Sequence, residues 1–390
     1  MGPVATEVTR PWVAGVLRLV ALLLGSAGMV SGCFPGLVES DFRTGPVQLE
    51  CCGLSDSPVE VRFLGVGGWL ISSPHGQIMT APLFSNPGML KAGFGNFSAD
   101  TLRIQEGLEF TGAGDLGQVG AILVGHGHYD HLMDVPWVAA RHATSAQILL
   151  TTTSYIQIAN QAREMGFEDR LLDVSDRVAS TTESGEWIAV GDAFRVLPIY
   201  SDHAPHLAGM TLYSGEREAA MPTAPRAANE WLEGESVAWL IDVLDGDGAV
   251  GMRIYYQDGV PRFPVGGIPP RDVLGDSIPV DVAIIVPATY AEVDWHPEAI
   301  LESAQPSHVL LGHWESFFEP VTDSVRPVVF TLLPDFVARL RRATDCNDTC
   351  WDLPRPGASF VFQGGSDSNR LPQTNRGPAA PSAGAVSGGR

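Results

Sequence analysis

The sequence predicts an α/β protein of stacked sheets with a histidine-rich site at the end of one strand. Short apolar runs rich in β-branched residues recur along the chain and end at glycine or polar residues, as buried strands do. Of the 390 residues, 45% are hydrophobic. A core domain of about 300 residues with that composition suits two sheets in several layers. The apolar run 121–124 leads into Gly-His-Gly-His-Tyr-Asp-His at residues 125–131.

The segment 125–131 has the composition of a metal site. Imidazole and carboxylate side chains bind divalent metals, and open α/β layers place their sites at the carboxyl ends of strands. His126 and His128 are two residues apart and can converge on one ion if the backbone is extended. Asp130 and His131 can then reach a second ion.

This segment resembles the His-x-His-x-Asp-His motif of the metallo-β-lactamase superfamily of metal-dependent hydrolases. The resemblance covers roughly residues 57–363 and rests on five separated motifs in the family's order. It implies a four-layer αββα sandwich of two mixed sheets flanked by helices. Residues 61–71 resemble the opening strand, glycine turn and second strand, and residues 78–82 resemble the third strand. Ala81 stands where many members carry Asp.

The resemblance also implies ligands farther along the chain. The strand 194–200 leads to His203, the expected ligand of the first metal, while His206 is either the alternative ligand or a substrate contact. Two strands, near 236–242 and 252–259, follow. Asp258 at the end of the second is expected to bridge the metals, and Asp242 is its competitor.

The last expected ligand, His313, comes late in the run 308–314, which is expected to be a buried strand. A strand at 280–287 and a short helix at 297–304 precede it, and His308 is expected to be structural or exposed. Three further histidines are expected at the surface or as caps: His75, His142 and His296.

The predicted ligands divide between two metals. His126, His128 and His203 would hold the first, Asp130, His131 and His313 the second, with Asp258 between them. Nitrogen and oxygen ligands without thiolate suit zinc, with iron or manganese as alternatives. Two such ions about 3.5–4 Å apart can share a water and lower its pKa toward about 7. Asp130 would orient the resulting hydroxide and carry a proton to the leaving group.

The start of the chain predicts export. Two arginines precede the short apolar run 19–24, which is typical of a secretory signal and too short to span a bilayer comfortably. The signal ends in Val-Ser-Gly-Cys at Cys33, which resembles a bacterial lipobox. The resemblance implies a signal peptide at 1–32, a lipidated Cys33 and a position on the cell or outer membrane. An ordinary signal peptide or an uncleaved anchor is the alternative.

Four further cysteines agree with an oxidising compartment, because they are even in number and grouped near the two ends of the domain. They are Cys51, Cys52, Cys346 and Cys350. In one pattern Cys346 pairs with Cys350. In the other, Cys346 and Cys350 pair with the adjacent Cys51 and Cys52 and tie the two ends of the domain together. We favour the second pattern because a vicinal bridge is strained, and a zinc site is the remaining alternative.

Three segments lie outside the expected core. Residues 33–56 are predicted to link the lipid anchor to the hydrolase domain at 57–363, and the Gly-, Ser- and Pro-rich residues 364–390 to be disordered. Residues 214–235 interrupt the strands after His203. This insertion is expected either to wall the substrate, with Trp231 against an acyl chain or ring, or to form a solvated loop.

The charge distribution restricts the partners. The formal net charge is −21 and Lys91 is the only lysine, which argues against a nucleic-acid substrate. Small-molecule or lipid-like substrates fit better, and the oligomeric state is open. The Gly-Gly-Trp-Leu-Ile run at 67–71 and the His-Trp pair at 313–314 resemble the phospholipase-D-like and lactonase-like branch. A phosphodiester or lactone is therefore the expected substrate. A β-lactam substrate, or a non-catalytic metal-binding lipoprotein, is the alternative.

Overall fold

The fold is described from a computed structural model that covers residues 37–50, 58–206, 209–276, 278–323, 325–329, 331–344 and 350–364. The chain divides into two compact units after Glu39, and every element below belongs to the second unit. The predicted signal, Cys33 and the tail from residue 365 lie outside the described residues. Of the cysteines only Cys350 is described, so the disulfide pattern stays a prediction. Within the described residues, no helix combines the length and apolarity needed to cross a bilayer.

Sixteen strands lie within the described residues. They are β1 (Phe42–Arg43), β2 (Val47–Glu50), β3 (Val59–Gly65), β4 (Gly68–Ser73), β5 (Gly76–Thr80), β6 (Val119–Leu123), β7 (Gln147–Leu150), β8 (Leu171–Asp173), β9 (Ile188–Val190), β10 (Phe194–Tyr200), β11 (Val237–Leu244), β12 (Val250–Tyr256), β13 (Val282–Ile285), β14 (His308–Leu311), β15 (Trp351–Pro354) and β16 (Ser359–Gln363).

Eight α-helices lie in the same described part of the chain. They are α1 (Met89–Phe94), α2 (Thr101–Phe110), α3 (Tyr129–Leu132), α4 (Val135–Arg141), α5 (Thr152–Met165), α6 (Arg271–Leu274), α7 (Glu298–Ala304) and α8 (Leu333–Thr344).

The strands form two mixed sheets of eight strands each, which confirms the predicted architecture. The first has the order β2-β16-β3-β4-β5-β6-β7-β8 and the second β1-β15-β14-β13-β12-β11-β10-β9. Both combine antiparallel hairpins with parallel crossover strands: β3, β4 and β5 are antiparallel neighbours, and β5 to β8 are parallel. Parallel neighbours need crossover connections, which supply the flanking helices.

The two sheets pack face to face where glycines leave room. A Cβ on Gly120 of β6 would meet Val190 of β9, and a Cβ on Gly76 of β5 would lie 3.2 Å from Ala193 beside β10. These contacts bury both inner faces, so the strands are largely apolar rather than strictly alternating.

Helices cover the outer face of the first sheet. Side chains of β5, β6 and β7 share a buried cluster with side chains of α2, α4 and α5, among them Ile104, Val138 and Ile158. In α8 the buried residues are Leu333, Phe336, Val337 and Leu340, which is the spacing of one apolar helical face. Helix α8 packs against α7.

Part of the predicted linker belongs to the sheets instead. β1 pairs in parallel with β15, and β2 pairs in parallel with β16. Each strand therefore extends the edge of one sheet, and the segment from Phe42 to Glu50 is not a free linker. The alternation of residues 47–50 was the available signal, but four residues are too few to separate an edge strand from a loop.

Most other predicted elements are confirmed to within a few residues. The strand at 194–200 has the expected bounds, the strand expected at 308–314 ends at Leu311, and the helix predicted at 297–304 is α7. The strand predicted at 252–259 ends at Tyr256, so Asp258 lies in the loop that follows.

A buried carboxylate fixes the loop between β5 and α1. Asp134 accepts hydrogen bonds from the backbone nitrogens of Phe84 at 2.7 Å and Ser85 at 2.8 Å, and from the Ser85 hydroxyl at 2.5 Å. Its side chain is fully buried, so both N–H groups depend on it for a partner.

We expect Asp134→Ala to lower the free energy of unfolding by about 3 kcal/mol, because a buried donor left unsatisfied costs about 1–3 kcal/mol. Equilibrium unfolding in denaturant, analysed as a two-state transition, would measure the loss of free energy of unfolding. The matched control is Asp115→Ala, since Asp115 also bonds a backbone nitrogen, that of Gly117, but in an exposed loop. Equal losses in the two variants would contradict this interpretation.

Candidate metal centre

The predicted ligands meet where strands of both sheets end. His126 and His128 follow β6 of the first sheet, whereas His203 and His313 follow β10 and β14 of the second. β10 and β12 are both antiparallel to β11, and β12 to β14 are parallel. The carboxyl ends of β10, β12 and β14 therefore lie at the same end of the second sheet. The loops that follow these strands converge on the loop after β6.

The local backbone of residues 126–131 explains which side chains face which subsite. His128 is extended, with φ −64° and ψ 153°, and α3 begins at the next residue. Side chains two apart in an extended chain point the same way, so His126 and His128 face together. Asp130 and His131 project from the first turn of α3. All four side chains are buried.

Gly125 and Gly127 are required by close approach. A Cβ on Gly125 would collide with the side chain of Asp258, and one on Gly127 would collide with the Leu232 carbonyl and the Gln157 amide. Residues 125–131 are called the ligand loop below. Because glycine alternates with histidine there, the segments that carry Asp258 and Leu232 can approach this loop closely.

The first triad consists of His126, His128 and His203, whose ligand atoms lie within 4.8 Å of one another. Burial lowers the pKa of His128 and of His203 well below the ordinary value, and neighbouring imidazoles lower both further. The pKa of His126 is lowered as well, again chiefly by burial. All three rings are therefore neutral at pH 7, which is the form that binds a metal.

The second triad consists of Asp130, His131 and His313. Oδ2 of Asp130 lies 3.5 Å from Nε2 of His131 and 3.4 Å from Nε2 of His313. Atoms at tetrahedral corners of a zinc ion, about 2.0–2.1 Å from it, are about 3.3 Å apart. The spacing of these three atoms therefore fits one shared ion.

Unpartnered ring nitrogens support the same conclusion. Nε2 of His126, His128 and His131 is buried without a hydrogen-bond partner, and so are the Nδ1 atoms of His131 and His313. Burying a polar atom without a partner costs free energy, and a bound ion is one way in which such atoms are satisfied. The ring centroids of His126 and His131 are 4.2 Å apart, so the two triads adjoin.

Asp258 contacts one ring of each triad, His126 and His131, and forms with these two a third group of potential metal ligands. Its Oδ2 accepts a hydrogen bond from Nδ1 of His126 at 2.7 Å, and its Oδ1 lies 2.9 Å from Nδ1 of His131. The second contact is an ion-pair distance without hydrogen-bond alignment. Its predicted role as a bridging ligand stays a prediction. In the structure the Asp258 oxygens face Nδ1 of His126 and Nδ1 of His131. The Nε2 atoms of these two rings, on the other side of each ring, have no hydrogen-bond partner.

The charges of Asp258 and His131 depend on each other. Burial raises the pKa of Asp258, but His131 and His126 outweigh burial and hold it well below its usual range. Burial likewise lowers the pKa of His131, but Asp258 and Asp130 outweigh it and raise that pKa to about 9. Without a bound metal, His131 is therefore a cation between two carboxylates.

Asp242, the competitor of Asp258, lies in a different place. It is fully buried and pairs with Arg253 at 2.7 Å and with Arg195 at 2.8 Å. Asp242 is in none of the potential metal groups of the described residues. Asp242 lies on β11, between β10 and β12, and its carboxylate neutralises the buried Arg253 of β12.

The Nδ1 atoms of His203 and His206 play opposite hydrogen-bonding roles: one donates and the other accepts. Nδ1 of His203 lies 2.7 Å from the carbonyl oxygen of Ala204, so it donates and Nε2 keeps its lone pair. Nδ1 of His206 instead accepts from the backbone nitrogen of Leu212 at 3.1 Å. Only His203 occurs in a potential metal triad, which favours it as the ligand.

The end of the insertion 214–235 holds the ligand loop in place. The Gly127 nitrogen donates to the Glu233 carbonyl at 2.8 Å. The Gln157 amide donates to the carbonyls of Gly127 at 3.0 Å and Leu232 at 3.2 Å, and its oxygen accepts from the Leu232 nitrogen at 2.6 Å. This part of the insertion is therefore structural rather than a solvated loop.

Trp231, the predicted substrate contact of the insertion, is 1% exposed and belongs to the core beside Ala228. Together with Met133 and Trp137 it lines a cavity of about 390 Å³. A role in substrate binding stays a prediction for Trp231.

Tyr256, Gln157 and Phe317 take part in the site, although the sequence did not single them out. The Tyr256 hydroxyl lies 2.5 Å from Oδ1 of Asp258, and the Phe317 ring lies 5.4 Å from that of His313. The Tyr-x-Asp spacing at the end of β12 was a signal for Tyr256. Gln157 lies on a helix 30 residues from Gly127 in sequence, and no local pattern marks it.

The remaining histidines lie away from the potential metal groups. His75 is exposed and His142 caps the end of α4, as expected. His308 is buried and hydrogen-bonds to Asp352 at 2.9 Å. His296 is buried rather than at the surface, and its Nε2 donates to the Val286 carbonyl.

No family model and no curated protein sequence matches the chain. Among solved structures, it is similar to the metallo-β-lactamase fold protein YhfI from Bacillus subtilis, with 12% identity over 79% of this chain and 100% of that one and a TM-score of 0.45. It is also similar to Igni18, a metallo hydrolase from Ignicoccus hospitalis, with 13% identity over 79% and 100% and a TM-score of 0.42. A third is CmlA, a diiron β-hydroxylase from Streptomyces venezuelae, with 14% identity over 79% and 54% and a TM-score of 0.43.

We expect Asp258→Asn to weaken metal binding by about 10- to 100-fold, because the groups that orient metal ligands have effects of that size. Asp242→Asn is the matched control. It should keep the metals and lower the melting temperature, since Arg253 loses its fully buried carboxylate and keeps only the part-exposed Asp276. Metal content after dialysis against a metal buffer, together with calorimetry, separates the variants. Metal loss in Asp242→Asn alone would reverse the assignment of the two carboxylates.

The raised pKa of His131 predicts a pH dependence that distinguishes the triads. Below about pH 9 His131 carries a proton that a metal must displace, so affinity at the second triad should rise about tenfold per pH unit from pH 7 to 9 and then level. The first triad has no such proton, and its affinity should be nearly constant over this range. Competition with a chromophoric chelator at several pH values measures both, and equal slopes would contradict the difference.

Proposed function

We propose that the protein is an exported, membrane-anchored hydrolase that uses two divalent metal ions, most readily zinc, on a phosphodiester or lactone. The observation that carries the proposal is the pair of adjoining triads, one of three neutral imidazoles and one of a carboxylate with two imidazoles. Nitrogen and oxygen ligands of this kind suit zinc, and iron or manganese remain alternatives that metal analysis separates.

The metals, when bound, would polarise the oxygen of the bond under attack and lower the pKa of a water to about 7. The residues of the chain supply position and charge around that water. Burial raises the pKa of Asp130, but His131 and His313 outweigh burial and hold it well below its usual range. Asp130 is therefore ionised, and it can accept a hydrogen bond from the attacking water and pass the proton toward the leaving group.

The tether and the charge support the choice of substrate. A lipidated Cys33 would hold the enzyme at a membrane, where phosphodiester headgroups and amphipathic lactones are concentrated. The net charge of −21 disfavours long polyanions such as nucleic acids. A β-lactam is the second enzymatic candidate, and a metal-binding lipoprotein without activity is the alternative outside enzymes.

The test of this function is hydrolysis by the metal-loaded protein of three chromogenic substrates: a phosphodiester, a lactone and a β-lactam. We expect two metal ions per chain and turnover of the phosphodiester or the lactone. Turnover of the β-lactam alone would replace the substrate class. Two bound metals with no turnover of any of the three would favour the binding protein.

We expect Asp130→Asn to lower kcat by about 10²–10⁴-fold, the usual contribution of a positioned acid–base group. Asp115→Asn, in an exposed loop, is the control and should leave kcat unchanged. Metal content must be measured for both, because Asp130 also lies in the second triad. Unchanged turnover in Asp130→Asn would remove the proton-transfer role.

A further inference from the structure

His206 lies over the first triad without joining it. Its ring stacks on that of His203, with centroids 4.5 Å apart and planes 11° apart, and lies 5.4 Å from the His128 ring. The ring therefore lies beside two rings of the first triad.

The hydrogen bonds of His206 fix which ring nitrogen carries the proton. The backbone nitrogen of Leu212 can only donate, so Nδ1 of His206, 3.1 Å away, must accept. A neutral imidazole has one N–H group, and it is then on Nε2. The backbone nitrogen of His206 also donates to the Met210 carbonyl at 2.8 Å, which keeps Leu212 near the His206 ring.

A nitrogen that carries a proton cannot bind a metal, but it can donate. His203 has the opposite arrangement, since its Nδ1 donates to the Ala204 carbonyl and leaves Nε2 for a metal. The stacked pair therefore presents one metal ligand and one N–H donor. Donors fixed beside a reaction centre stabilise the oxygen on which negative charge develops.

We propose that the Nε2–H group of His206 donates a hydrogen bond to the carbonyl or phosphoryl oxygen that becomes negative during hydrolysis. This inference rests on the proposed function and names the group that recognises the substrate. As water attacks the carbon or phosphorus atom, the electron pair of the double bond moves to that oxygen. That electron pair then re-forms the double bond as the bond to the leaving oxygen breaks. The leaving oxygen takes a proton from the water, and the proton on Nε2 stays in place.

Three substitutions test the proposal in the metal-loaded protein. The Gln amide of His206→Gln can donate from near the position of Nε2, whereas the shorter amide of His206→Asn lies near Nδ1. His206→Ala removes the donor. His203→Ala provides the reference for loss of a metal ligand.

The first readout is metal content, which does not depend on activity. We expect all three His206 variants to keep two metals per chain and His203→Ala to lose one. Loss of one metal in His206→Ala, with His203→Ala unaffected, would make His206 the ligand and overturn the proposal.

The second readout is the binding of inorganic phosphate, measured by calorimetry. A hydrogen bond to a charged oxygen contributes about tenfold or more in affinity. We expect phosphate to bind about tenfold more weakly to the Ala and Asn variants and to recover in the Gln variant. Equal weakening in the Gln and Ala variants, or none in any variant, would overturn the donor role.

The third readout is turnover of the best substrate. Loss of a donor of this kind lowers kcat by about 10²–10³-fold, so the Ala and Asn variants should lose that much with little change in KM. The Gln variant should recover most of it, and an unchanged kcat in His206→Ala would contradict the proposal. If the wild type hydrolyses no substrate, the proposed function fails, and phosphate binding still decides the role of His206.

Discussion

The contact of Asp258 with one histidine of each triad is the constraint on which the rest of the site depends. Several imidazoles packed together would be costly to bury if their ring nitrogens were not fixed, because each can exchange donor and acceptor. Asp258 contacts the Nδ1 atoms of His126 and His131 and thereby directs their Nε2 atoms to the same side. Its position also accounts for Gly125, where a Cβ would take the space of the carboxylate.

Backbone pairing between loops gives this arrangement its rigidity. The nitrogen of Gly127 is bonded to Glu233, and the nitrogen of Val237 to the carbonyl of Gly125. The loop after β10 is joined in turn to the loop after β12 by a bond from Ala204 to Val260. Each segment that carries a potential ligand is thus hydrogen-bonded to another segment. The insertion 214–235, which interrupts the second sheet, therefore stabilises the ligand loop that follows β6 of the first sheet.

The stacked rings of His203 and His206 show how two chemically equal side chains come to present different ring nitrogens. The neighbouring backbone decides, because a carbonyl at Ala204 requires a donor and an N–H at Leu212 requires an acceptor. One ring is then suited to a metal and the other to an oxygen that gains charge. In the role proposed for His206, it would be a neutral donor beside the first triad, without a cationic side chain that would pair with the surplus carboxylates of the chain.

The sequence by itself determined the layered α/β fold and most members of both triads, since strand patterns and the cluster at 126–131 are local. It placed the opening strands, the strand before His203 and the strand before His313 within a few residues. It could not assign the short edge strands β1 and β2, because they are recognised only by their partners β15 and β16. Only the tertiary structure separated Asp258 from Asp242, and His203 from His206. Those choices depend on hydrogen-bond partners that no local pattern marks. Arg253 pairs with Asp242, Asp258 reaches His126 from 132 residues away, and the Leu212 nitrogen lies against the His206 ring.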